Sequence, residues 1–80
     1  MFFGILIYMY YDEHQPPHFH ARYQGEEAEF FLDGELLSGK LPKRQMKLIA
    51  AWAELHSEEL AANWEVARTH DELFRIEPLR

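Results

Sequence analysis

Three histidines fall within seven residues, in the run Asp12-Glu13-His14-Gln15-Pro16-Pro17-His18-Phe19-His20. Imidazole is both a common metal ligand and the usual carrier of a proton near neutral pH. Side chains two apart on a strand share a face, so His18 and His20 stand side by side, away from Phe19. Such a pair can chelate one divalent ion. His14 supplies a third nitrogen if the Pro16-Pro17 segment folds back, and Glu13 or Asp12 an oxygen or an orienting hydrogen bond. Three histidines with an open position are how zinc activates water, lowering its pKa to ~7, so zinc is a candidate metal for this set. Without a metal, His14, His18 and His20 are candidates for acid–base catalysis. Arg22 stands beside them on the same face. A third reading needs no chemistry: prolines and histidines at a strand entrance make a rigid corner whose imidazoles bond backbone carbonyls. Tyr8, Tyr10 and Tyr11 end the preceding strand and are placed to line the site.

A second cluster is basic. Lys40, Lys43, Arg44 and Lys47 gather where a helix should begin, with Lys43 and Lys47 four apart. The helix dipole prefers anions there, so Lys43 and Arg44 are candidate binding residues for RNA, DNA or an acidic protein. The alternative is a solvated face that offsets fourteen acids.

The formal charge is −6. It disfavours nucleic acid and anionic membranes as partners of the whole surface and suits a basic protein partner. With no cysteine, disulfides and thiolate metal sites are excluded, as expected of a cytoplasmic protein. The apolar start MFFGILIYMYY is too short to span a bilayer and lacks the basic flank of a signal peptide.

The elements that must position these residues follow from patterning. Residues 1–80 read as a single domain. Residues 2–11 are aromatic and β-branched with both faces apolar, which predicts a central strand. Residues 18–23 form a second strand, with Phe19, Ala21 and Tyr23 inward and His18, His20 and Arg22 outward. Gln24-Gly25 is a tight turn. Residues 27–33 form a third strand, with Ala28, Phe30 and Leu32 inward and Glu27 and Glu29 outward. Asp33-Gly34 is a second hairpin turn, and residues 35–37 a short fourth strand. Pro42 opens a helix over residues 43–56 with Met46, Ile49, Ala50 and Ala53 on its apolar stripe, broadened by Leu48, Trp52 and Leu55. Ser57 is placed to cap a second helix over residues 58–68, which packs Leu60, Ala61, Trp64 and Ala67. Both tryptophans belong to the core. Glu77-Pro78 makes the tail at 75–79 extended. The expected fold is α+β: a small antiparallel sheet of three to four strands, two packed helices, then an extended C-terminal tail.

Several motifs together resemble a known family. Phe3-Gly4-Ile5-x-Ile7-x-Met9-Tyr10, His14-x-Pro16-Pro17-His18-x-His20 and Tyr23 are followed by Gly39-x-Leu41-Pro42 and Trp52. Glu59-Leu60-x-x-Asn63-Trp64 and Ile76-x-Pro78-Leu79 complete the pattern. This is similar to the bacterial family called domain of unknown function 4160, which often shows Asp where Glu13 stands. The resemblance implies a small cytoplasmic prokaryotic protein. It is often encoded beside a second small protein, of the domain of unknown function 2442 type, in a toxin–antitoxin-like pair. Two expectations follow. The chain is a protein-interaction or regulatory member of the pair, or it is a toxin-like ribonuclease or metal-binding protein using His14, His18 and His20, with Arg22 or Arg44 holding phosphate in the ribonuclease case.

Overall fold

A computed structural model describes residues 3–10 and 14–68. Four strands form one antiparallel sheet in chain order: β1 (Leu6–Tyr8), β2 (His18–Tyr23), β3 (Glu26–Phe31) and β4 (Leu36–Gly39). Helices α1 (Lys43–Leu55) and α2 (Ser57–Arg68) follow. This is the expected α+β order. The tail at 75–79 lies outside the described residues.

The first strand is shorter than the pattern predicts. Phe3 and Gly4 take positive φ, 48° and 76°, which makes a turn and delays the start of the strand to Leu6. Among the described residues β1 lies at the sheet edge, not in its centre. Its two apolar faces have separate causes. Ile5, Ile7 and Met9 pack on the core, while Tyr8 and Tyr10 lie against His20.

Gln24 and Gly25, both at positive φ, make the two-residue turn whose twist suits a hairpin. It sets the register Arg22↔Glu27, His20↔Glu29 and His18↔Phe31. β3 stops at Phe31 rather than at 33. There the Gly34 N–H bonds the Phe31 carbonyl, the Phe31 N–H bonds that of Glu35, and Asp33 Oδ1 accepts from the Glu35 N–H. Leu32 is therefore a half-buried turn residue. Gly34, at φ 95°, presses its backbone onto α1, where a Cβ would stand 2.7 Å from the Ala50 Cα.

Phe19, Ala21, Ala28 and Phe30 form the sheet side of the core, against Leu41, Ile49, Trp52, Ala53 and Leu60. Leu55, expected on the apolar stripe, is 70% exposed, because α1 is ending and no element covers it among the described residues. Ala61 is exposed and Asn63 buried; the buried stripe of α2 is Leu60, Asn63, Trp64 and Ala67, the i, i+3, i+4, i+7 pattern of one helix face. Two helices do meet here, but His56 rather than Ser57 is the joint. Its N–H bonds the carbonyls of Trp52 and Ala53, closing α1, while its carbonyl accepts the Leu60 N–H, opening α2. Its ring Nδ1 is 2.7 Å from Glu59 Oε1. Ser57 is thus the first residue of α2. Among the described residues no helix is long and apolar enough to cross a membrane.

Candidate functional site

His18 and His20 do share a face of β2, but they do not face solvent. They retain 5% and 8% exposure. Cover comes from rings that alternation along one strand cannot reveal. Trp64 of α2 lies 5.4 Å from the His18 ring, and Trp52 of α1 lies 5.8 Å from that of Phe19. Adjacent residues of β2 thus meet different helices. Tyr8 stacks on His20 at 5.1 Å with planes 10° apart, and Tyr10 meets the same ring edge-on at 4.9 Å. His18 and His20 are 5.2 Å apart. The outcome is a continuous row of rings: Trp64, His18, His20 and Tyr8.

His18 is fixed within that row. Its Nδ1 lies 2.7 Å from the Pro16 carbonyl oxygen. A carbonyl only accepts, so Nδ1 carries the proton and donates. Nε2 is then turned toward Glu29 Oε1, 3.7 Å away. The proline corner and the histidine ring hold each other in place, as in the corner reading of the sequence. His14, by contrast, is exposed. Among the described residues no group of three or more His, Asp or Glu is placed to hold a metal ion. His18 and His20 come together, but the three-histidine zinc set with His14 is not assembled there. Glu13 and Tyr11 lie outside the described residues.

Beyond His20 the row ends in a polar cluster. Tyr8 donates its hydroxyl to Glu27 Oε1, which also accepts from Arg22 Nη2 at 3.2 Å. The Arg22 guanidinium sits 5.9 Å from the centre of the Tyr8 ring, within the range of a cation–π contact. Burial, then the bond to Glu27, pushes the Tyr8 hydroxyl up to about 12. Its hydrogen bonds from Tyr8 and Arg22 hold the Glu27 carboxyl below its ordinary value, and that same Glu27 bond raises Arg22. Tyr8 is therefore a protonated hydroxyl at neutral pH, suited to hold Glu27 rather than to attack. Glu27 and Glu29 belong to no motif that singles them out, although a two-residue turn at 24–25 places them opposite Arg22 and His20. Trp64 carried no comparable signal, because only the tertiary path of α2 brings it to His18. Lys43 and Arg44 are exposed on the first turn of α1, on a different element from this cluster.

The family model described as "Domain of unknown function (DUF4160)" matches residues 4–65. The chain belongs to this family. No curated protein and no solved structure matches the chain. The DUF4160 span takes in the proline corner, both buried histidines, the Tyr8–Glu27–Arg22 cluster and Trp64, so the whole row of rings lies within it.

Proposed function

We propose that this DUF4160 chain is a protein-interaction module. In this reading it is the regulatory member of a toxin–antitoxin-like gene pair in the bacterial cytoplasm, and its partner is a small protein of the domain of unknown function 2442 type. The observation that carries the reading is His18, buried with its Nδ1–H held by the Pro16 carbonyl. A general acid or base must reach the proton it moves, and a ring covered by Trp64 and His20 is poorly placed for that. What the row leaves accessible is a rim. Tyr10 is 54% and Leu6 40% exposed, beside the exposed Arg22 and Glu27. Tyrosine and arginine are the side chains that most often dominate protein interfaces, and rigid backing by stacked rings reduces the ordering cost of binding.

The test is calorimetric titration of the chain with the product of the gene beside it. Wild type should form a saturable complex. Tyr10→Ala with Arg22→Ala should weaken it about tenfold or more, the loss of one interface hot spot. Equal affinity of wild type and variant would remove this rim as the binding face. Absence of any complex would remove the module reading.

A further inference from the structure

The strongest charged feature lies outside that rim. Lys40, Lys43, Arg44 and Lys47 are all exposed, and among the described residues none makes an ion pair. They are half of the eight Lys and Arg in the chain; the rest carries four cations against fourteen acids. Nothing in the fold explains concentrating positive charge here. Lys43 and Arg44 occupy the first turn of α1, which holds no acidic residue and has no side-chain cap. The helix dipole is positive at that end, so cations there cost stability rather than add it. Neighbours at i, i+3 and i+4 stand about 5–6 Å apart on a helix, so Arg44 and Lys43 both lie beside Lys47. Lys43, Arg44 and Lys47 thus form one patch on α1 with no ion pair among the described residues, and Lys40 stands just before the helix.

We infer that this patch docks a short acidic segment of a partner protein. The inference rests on the interaction-module reading and adds a second, charge-reading contact to it. The size and surroundings of the patch favour a short peptide over a nucleic acid. The patch covers little more than one helical turn of about 5.4 Å, on a body 33 × 24 × 19 Å in extent. A nucleic acid carries its charge on well past such a patch and meets the net-negative remainder of the surface. A short run of Asp or Glu ends within the patch. Screening over about 8 Å at physiological salt lets it feel the four cations more than the distant acids.

The test uses fluorescence anisotropy at physiological salt with two labelled probes, a short oligoglutamate peptide and a single-stranded RNA long enough to run well past the patch. Wild type should bind the peptide more tightly than the RNA. The triple variant K43E/R44E/K47E should bind the peptide at least about tenfold more weakly, while R68E on α2 changes it less than about twofold. The triple variant should melt no lower than wild type, which separates lost binding from lost folding. RNA bound more tightly than peptide would replace the assignment with a nucleic-acid surface. No peptide binding, or equal binding by the triple variant, would overturn it. Titration with the neighbouring gene product separates the two readings. A complex unchanged by K43E/R44E/K47E sinks the patch and leaves the module, whereas no complex at all sinks both.

Discussion

Replacing His18 with alanine should destabilise the protein by about 3 kcal/mol. Two losses add. The bond from Nδ1 to the Pro16 carbonyl has a net value of about 0.5–1.5 kcal/mol; since Pro16 is exposed, its carbonyl can turn to water, and the lower half of that range applies. The larger loss is the ring, which is 5% exposed and packed between Trp64 and His20. Deleting a buried side chain of this size leaves a cavity and costs about 2–3 kcal/mol, the lower part of the range for large-to-small core changes. A domain of this length has roughly 4–12 kcal/mol in total, so the variant keeps a fold but loses much of its margin. Its midpoint should fall by about 12–24 °C at the usual 4–8 °C per kcal/mol. Urea unfolding followed by the fluorescence of Trp52 and Trp64 reads the free-energy loss directly, since both indoles are buried. His14→Ala is the matched control. It removes an exposed ring from the same run and should stay within about 0.5 kcal/mol of wild type. If His18→Ala also stayed within that margin, the ring would not be part of the packing, and the corner account would be wrong.

Four further outcomes follow from the structure. Gly34→Ala places a Cβ 2.7 Å from the Ala50 backbone at φ 95°; it should cost about 2–5 kcal/mol, strain plus overpacking. Gly25→Ala has open space at φ 83° and should cost only the strain, about 1–2 kcal/mol, so unfolding free energies that agree for the two would refute the close packing of the turn on α1. Tyr8 has a folded pKa of about 12 against 10.0 unfolded, so its contribution is full below 10 and disappears as pH rises through 12; Tyr8→Phe should flatten stability against pH across that window. Glu27 has the opposite sign: its pKa is lowered from 4.5, so its contribution is present above that value and fades as pH falls through the folded pKa, a loss that acid unfolding of Glu27→Gln should no longer show. Lys43→Glu alone, read by thermal unfolding, should stabilise by about 0.3–1 kcal/mol, because an anion replaces a cation at the first turn of α1.

The strand order, the turn at Gln24-Gly25, both helices and the tryptophans as core were legible in the sequence, because local periodicity and turn chemistry agree there with the tertiary fold. Tertiary cover decides what local pattern leaves open. Apolar residues on both faces of the first strand predict a central strand; among the described residues it lies at the sheet edge, with one face on the core and the other on His20. Alternation placed His18 and His20 opposite Phe19, correctly, but could not say that Trp64, Tyr8 and Tyr10 cover that side. Spacing alone gathered His14 with His18 and His20; the Pro16-Pro17 corner instead ties its own carbonyl to His18 and leaves His14 exposed. The Arg22–Glu27 pair, by contrast, follows from the hairpin register once the turn length is known.

The corner at Pro16 and His18 bears most directly on whether this run is scaffold or reaction centre. Long-range nitrogen–proton NMR spectra of the imidazoles, recorded in mildly alkaline buffer with and without zinc, measure it. The account predicts that His18 holds its proton on Nδ1, bonded to the Pro16 carbonyl, and that added zinc leaves the signals of His14, His18 and His20 in place. Zinc shifting all three rings together, or a proton on Nε2 of His18, would contradict it.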